Sequence, residues 1–284
     1  MDIFLHEGSH LNSGIREYRQ FKKGVICMIK QTIEDNILIA QFANAPTYSM
    51  KFETLVQIRE AVKKVKDDDS IKGLIFTGEG RFFCSGFDLP TFLGFKTKDD
   101  VMEFFNVEEE MLYEIFTCPK PVIAAINGHC TAGGFIISMG CDYRIATDNP
   151  KAKMGMTETK IGMSLTIAEM ELVRSGCNSE RMVRDIMYNG ERHSFEQAKE
   201  MGLIDQIVPE AELIETAKKR VTYWWDQPLH AFSNIKYCLR YPISSQMRYR
   251  LDNENWQDSL YQVLTSPQIR GVPEMVQKMM TGGK

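Results

Sequence analysis

Residues 121–139 read PVIAAINGHCTAGGFIISM, and three local signals follow one another inside that stretch. The run 121–126 is short, apolar and strand-like, glycines at 128, 133 and 134 interrupt the chain, and residues 135–139 are apolar again in helical style. A strand that leaves through a glycine turn into a helix is the building step of an α/β fold. It also sets Gly133 near a helix N-terminus, where N–H groups lack intrahelical acceptors and the macrodipole favours negative charge. Such a turn can hold an anion, although a Gly-Gly pair taken alone also marks an ordinary strand-to-helix turn.

Outward from this stretch, further strand-like runs occupy 36–42, 71–77 and 143–147, and helical patterns occupy 52–66 and 99–116. The alternation indicates an α/β core. A second glycine turn, Phe83-Cys84-Ser85-Gly86-Phe87-Asp88-Leu89, follows the run at 71–77 after a short loop, and its Asp88 is equally suited to capping a helix. Ser194-Phe195-Glu196-Gln197 has the form of a capping box, with Gly202 at the stop position of the short helix it opens. Beyond Pro209 the pattern turns helical, over 211–225, 229–241, 246–264 and 272–280. The chain therefore divides into a polar extension at 1–24, an α/β core at 25–210 and a helical region at 211–284. No internal repeat or low-complexity tract is present.

Composition narrows the function classes. The 284 residues are 43% hydrophobic and 25% charged, enough to bury a large core. A net charge of -4 gives no overall attraction to nucleic acid or to an anionic membrane, so neither is expected as a partner. Seven cysteines, an odd number at irregular spacing with no C-x-x-C pair, point to reduced thiols in a cytoplasmic compartment and to no metal site. No run reaches the roughly 20 apolar residues of a membrane span, and the first residues lack the layout of a signal or transit peptide.

The two glycine turns resemble those of the crotonase, or enoyl-CoA hydratase/isomerase, superfamily over about residues 25–208. The resemblance is strongest to its Δ3,Δ2-enoyl-CoA isomerases, in which Ala132-Gly133-Gly134, Cys141-Asp142-Tyr143-Arg144-Ile145, Asp148-Asn149-Pro150 and Glu158-Thr159 with Gly162 recur in this order. It implies a crotonase-type spiral of ββα units whose helical C-terminal region serves as a trimerisation or lid element, hence a homotrimer or a dimer of trimers. It implies that the Phe87 and Gly133 N–H groups hold a thioester oxygen, that Arg81 meets nucleotide phosphates, and that Ser85 contacts the adenine or pantetheine portion. Coenzyme A then enters as part of the substrate, with no separate cofactor. Leu89-Pro90 stands where the family has a lysine two residues beyond the aspartate, so an acyl-carrier-protein thioester stays open beside an acyl-CoA.

Hydratases of the superfamily carry one glutamate three residues after the oxyanion glycine and a second about twenty residues later. Here the first position is Ile136 and only Glu158 remains, which suits a proton shuttle better than addition of water. Glu158 is expected to move a proton from C2 to C4 of a 3-enoyl thioester, with Met154, Met156 and Ile136 raising its pKa by desolvation. Phe92, Phe95, Phe104 and Phe105 fit an acyl tunnel or, at helical spacing, plain core. His129 lies beside the second turn without a Ser or Cys placed to act as its nucleophile. Three readings stay open: an isomerase, a hydratase or decarboxylase on the same scaffold, and a catalytically silent binding protein.

Overall fold

The computed structural model describes residues 26–267 together with 271–272. The extension expected over 1–24 lies outside these residues, as does all but the first residue of the helix expected over 272–280.

Two sheets carry the described chain. The larger consists of β1 (Ile29–Glu34), β2 (Ile37–Phe42), β3 (Gly73–Thr77), β5 (Val122–Ile126), β7 (Tyr143–Thr147) and β10 (Gln206–Val208), side by side in that order. The smaller consists of β4 (Phe82–Cys84), β6 (His129–Thr131), β8 (Lys153–Gly155) and β9 (His193–Ser194). Around them run α1 (Phe52–Asp67), α2 (Leu89–Gly94), α3 (Lys98–Thr117), α4 (Gly133–Gly140), α5 (Ile167–Gly176), α6 (Glu180–Asn189), α7 (Phe195–Glu200), α8 (Leu213–Trp225), α9 (Ala231–Asn253) and α10 (Gln257–Leu264). The chain visits the sheets in alternation: β3 then β4, β5 then β6, β7 then β8, with helix after each pair. This is a spiral of ββα units.

Apart from the β1–β2 hairpin, all ladders of the larger sheet are parallel. Parallel strands are stable when both faces are covered, and here β3 and β5 are buried at every residue. On one face Ile39, Ile75, Ile123 and Ile145 pack with Ala217 and Val221 of α8. On the other, Leu38, Phe76, Ala124 and Ala146 enter the main core with α1, α3 and α4. Period-two alternation thus sends neighbouring residues of one strand to different helical layers. From Leu213 onward the described chain is helical, with α8 serving directly as a layer of the core.

The helices expected at 229–241 and 246–264 are arranged differently. α9 runs unbroken from Ala231 to Asn253 with Pro242 inside it, and the break falls at 254–256. A proline removes one helical hydrogen bond. Contacts on both sides of it hold the helix: Arg240 donates to the carbonyls of Phe116 at 2.6 Å and Gly140 at 3.0 Å, and Met247 is fully buried. The capping box forms as expected, Ser194 Oγ accepting from Gln197 N at 3.2 Å and Gln197 Oε1 from Ser194 N at 2.9 Å.

Candidate active site

Strands β4, β6 and β8 are adjacent and parallel, with Cys84 opposite Cys130 and Cys130 opposite Met154. Parallel neighbours send the chain out at the same edge, so the segments that follow them converge. Phe87 lies three residues past Cys84, Gly133 three past Cys130, and Glu158 four past Met154. Three residues distant in sequence are brought to one rim of the small sheet by strand register alone.

The first turn is fixed against the segment before α1. Met50 N donates to Gly86 O at 2.7 Å and Asp88 N to Met50 O at 2.9 Å, bracketing Phe87, whose own N–H has no hydrogen-bond acceptor among the described residues. Gly86 has φ +98°, a conformation that L side chains rarely adopt, and a Cβ there would lie 2.5 Å from Ala132 Cβ and 3.3 Å from Gly133 N. The two turns are therefore in contact. Thr131 Oγ1 adds a bond to Ser85 O at 3.4 Å. In the second turn Ala132 is held at φ 54°, ψ -129°, with its N–H donating to Gly155 O at 3.1 Å. Gly133 begins α4, so its N–H is one of the groups a helix start leaves without an intrahelical partner. Ala132 is a non-glycine residue in a strained backbone region, which sharpens the entry into that helix.

Glu158 opens a single helical turn, Glu158–Ile161, after β8. Its side chain is 7% exposed. Oε2 accepts from Thr157 N at 2.8 Å, whereas Oε1 has no hydrogen-bond partner. Burial, only partly offset by the bonds from its own and the Thr157 backbone N–H, pushes the carboxyl up to about 7. Met154, Met156 and Ile136 are all buried at 1% exposure or less.

A cavity of about 870 Å³ lies against these groups, with Phe87, Ala132 and Glu158 in its wall. Leu89, Phe92, Ile161 and Met163 supply apolar lining, and Arg81, His129, Lys160 and Arg192 supply positive or titratable groups. Ser85 lines it too, its hydroxyl donating to Thr47 O at 2.6 Å. Arg81 is exposed and stands 5.7 Å from the Phe82 ring centroid. All five residues singled out from the sequence, Glu158, Phe87, Gly133, Ser85 and Arg81, thus belong to one region, Gly133 just behind the wall. Of the four phenylalanines, Phe92 reaches the cavity, and Phe104 and Phe105 pack behind it, all with ring centroids 5.1–5.6 Å apart.

Sequence reasoning did not single out Lys160 and Arg192, and it left His129 without a role. His129 Nδ1 accepts from Lys153 N at 3.1 Å, which places the ring proton of the neutral form on Nε2. Burial, with Arg81 and Arg192 nearby, pulls its pKa down. Arg192 and Lys160 are surface cations in their local sequence, and only the fold carries them to the same opening. The thiols near the turns are not nucleophiles, since burial pushes Cys84 up to about 12 and Cys130 well above its usual value. Among the described residues no cluster of His, Cys, Asp and Glu is arranged to hold a metal, and no helix is long and apolar enough to cross a membrane.

A ββα spiral whose two glycine turns touch beside a cavity with a buried carboxyl in its wall defines an α/β enzyme of the crotonase type. The chain belongs to the enoyl-CoA hydratase/isomerase family, whose model matches residues 32–270. It is 28% identical over 243 residues to the mitochondrial enoyl-CoA delta isomerase 1 of Rattus norvegicus, covering 84% of this chain and 82% of the relative. With the Homo sapiens protein of the same name it shares 26% over 212 residues, 74% of this chain and 70% of that one. Its fold superposes on the crystal structure of human mitochondrial delta3-delta2-enoyl-CoA isomerase with a TM-score of 0.80 at 24% identity, over 90% of this chain and 98% of that chain. An enoyl-CoA hydratase from Bacillus halodurans superposes with a TM-score of 0.77 at 23% identity, over 87% and 99%.

Proposed function

We propose that this protein is an enoyl thioester isomerase that converts a 3-ene into a 2-ene with Glu158 as its single proton shuttle. The observation that carries the reading is a lone buried carboxyl in the cavity wall, with one oxygen unpartnered and a pKa pushed to about 7, while the apolar Ile136 occupies the position of the hydratases' other glutamate. Ionised Glu158 takes a proton from C2. The electron pair delocalises into a dienolate, and negative charge develops on the thioester oxygen. Unpaired N–H groups of Phe87 and Gly133 would receive that charge. Protonated Glu158 then delivers the same proton to C4, and the double bond comes into conjugation. A carboxyl tuned near neutrality is efficient in both directions, as a shuttle requires.

The opening suits a phosphorylated carrier. Arg81, Lys160 and Arg192 would present fixed positive charge to phosphates, and Ser85, in the first turn, lines the same cavity. Both an acyl-CoA, with coenzyme A as part of the substrate, and an acyl-carrier-protein phosphopantetheine thioester satisfy this chemistry. Assembly as a homotrimer or dimer of trimers is supported by apolar residues on and just before α9, where Leu229 is 94%, Ile235 59% and Leu239 72% exposed. A cytoplasmic location is supported by seven free cysteines.

Incubation with 3-hexenoyl-CoA and, separately, with 2-hexenoyl-CoA tests the reading. Conjugation of the first with no hydration of the second is expected. Hydration of the second would assign the chain to lyase chemistry, and inertness toward both, as well as toward the matching pantetheine thioesters, would remove the enzymatic reading.

A further inference from the structure

The sequence leaves Asp88 suited both to capping the helix that follows it and to supporting the turn that precedes it, and the proposed reaction gives it no part. The structure separates the two roles. Asp88 stands at the N-cap position of α2, yet its carboxylate accepts no capping hydrogen bond from the N–H groups of that helix. Its oxygens take two hydroxyls instead: Oδ1 accepts from Ser49 Oγ at 3.0 Å and Oδ2 from Thr91 Oγ1 at 2.9 Å. Phe87 and Leu89, its neighbours in the chain, line the cavity and Asp88 does not, so its influence on a bound substrate must pass through other groups.

The bond to Ser49 holds the backing of both glycine turns. Ser49 and Met50 are buried, at 4% and 0% exposure. Met50 pairs with Phe87 in an isolated parallel bridge, its N–H donating to Gly86 O at 2.7 Å and its carbonyl accepting from Asp88 N at 2.9 Å. In such a bridge the central residue, here Phe87, turns its own N–H and C=O away from the partner segment. That orientation leaves the Phe87 N–H without an acceptor among the described residues. The Met50 side chain meets the second turn, since a Cβ on Gly133 would lie 2.3 Å from Met50 Cε and 3.2 Å from Phe87 Cε2. Met50 thus aims Phe87 with its backbone and packs on Gly133 with its side chain. Asp88 closes the ring, reaching from the residue after Phe87 back to the residue before Met50. A carboxylate only accepts, so Ser49 spends its one proton on Asp88, and the Thr47 hydroxyl, 2.9 Å away, donates to Ser49 Oγ.

We propose that Asp88 is a positioning residue for the oxyanion amides: through Ser49 it fixes the direction of the Phe87 N–H and the spacing between that turn and Gly133. Its effect on turnover rests on the isomerase reading. Negative charge reaches the thioester oxygen only as the dienolate forms, so a donor that rocks out of line weakens the transition state more than the bound substrate. The loss therefore falls on kcat. The Thr91 bond ties the same carboxylate to α2 and does not bear on the amide, which makes Thr91 the internal control.

Steady-state kinetics of the full chain on 3-hexenoyl-CoA test the effect on rate. Asp88→Ala and Ser49→Ala should each lower kcat by about 10–10²-fold with KM nearly unchanged, and the double variant should lose no more than either single one, because both remove the same bond. Asp88→Asn keeps an oxygen toward Ser49 and should restore kcat, and Thr91→Ala should leave it near the wild-type value. The amide itself is read without substrate, by NMR of the chain labelled with ¹⁵N-phenylalanine, the Phe87 resonance being assigned by its loss in Phe87→Leu. Ser49→Ala should displace and broaden that resonance more than those of the other phenylalanines, and should not displace it further when Asp88 is already Ala. General loss of stability produces neither this selective displacement nor a fall in kcat at constant KM. If Asp88→Ala does not fold, Ser49→Ala, which deletes one hydroxyl, still decides the matter. A Phe87 amide unmoved by Ser49→Ala, or a Thr91→Ala variant as impaired as Ser49→Ala, overturns the proposal and returns Asp88 to helix capping. Inactivity of the wild type toward enoyl thioesters would overturn the functional reading and leave the amide measurements as they are.

Discussion

Glu158 is dry on one side and tethered on the other, which is what the proposed proton shuttle asks of it. The Thr157 N–H holds one oxygen at 2.8 Å, and the second oxygen, buried without a partner, is the one the proposed reaction would turn to a carbon-bound proton. Burial raises its pKa to about 7, so the ionised base accumulates as pH rises through that value. The expected kcat/KM profile therefore climbs with pH and levels off above neutrality. Glu158→Gln should reduce kcat by about 10²–10⁴-fold with KM changed only slightly, as steady-state kinetics on a 3-enoyl thioester would reveal. An undiminished rate would remove Glu158 from the chemistry. At this scale much was legible in the sequence, because a glutamate at a set distance beyond a glycine turn is a local pattern. Lys160 and Arg192 were not, since each looks like an ordinary surface charge until the turn after β8 and the loop before β9 are brought together.

Strand register turns these local patterns into a site. β4, β6 and β8 have three residues each, too few for periodicity to declare itself, yet their pairing decides that Phe87 and Glu158 line one cavity with Gly133 just behind its wall. The longer strands of the larger sheet were readable because β3 and β5 are continuous apolar runs, the mark of parallel strands covered on both faces. The helix expected over 229–241 continues through Pro242 because the anchors on either side, Arg240 and Met247, outweigh the hydrogen bond the proline removes. The contact between the glycine turns yields a test at this scale. Gly86→Ala places a Cβ 2.5 Å from Ala132 Cβ on a residue with φ +98°, so the turns must part. Stability should fall by about 1–3 kcal/mol in urea titrations. Turnover should fall by about 10²–10³-fold, the scale of losing one oxyanion donor. A variant that keeps full activity would show that the amide positions are not critical.

One buried ionic group binds the whole molecule together. Asp142, at the start of β7, accepts from Val122 N at 2.8 Å, pairs with Lys236 at 2.6 Å and with Arg240 at 2.8 Å. Lys236 also donates to Lys120 O at 3.1 Å, so α9 is fastened to the end of the central sheet. Removing the aspartate leaves two cations in a largely dry place, and Asp142→Ala should cost about 3–5 kcal/mol. Limited proteolysis should then cut around α9 well before the spiral is attacked. Asp142→Ala combined with Lys236→Met should recover part of the loss, and an Asp142→Ala protein as stable as wild type would contradict this account. The Cys141-Asp142-Tyr143-Arg144 motif drew notice in the sequence as a family mark, and its role became physical only when residues 94 positions apart in the chain came together.

That fastening has a consequence for biosynthesis. A ribosome reaches Asp142 long before it reaches Lys236, and until then the growing polypeptide must seat an acid at the edge of its central sheet without the cation that neutralises it. The neighbours of β7 in the sheet add to the delay, since β10 is also translated some sixty residues later. A chain released before residue 236 would therefore carry Asp142 without either of its cations.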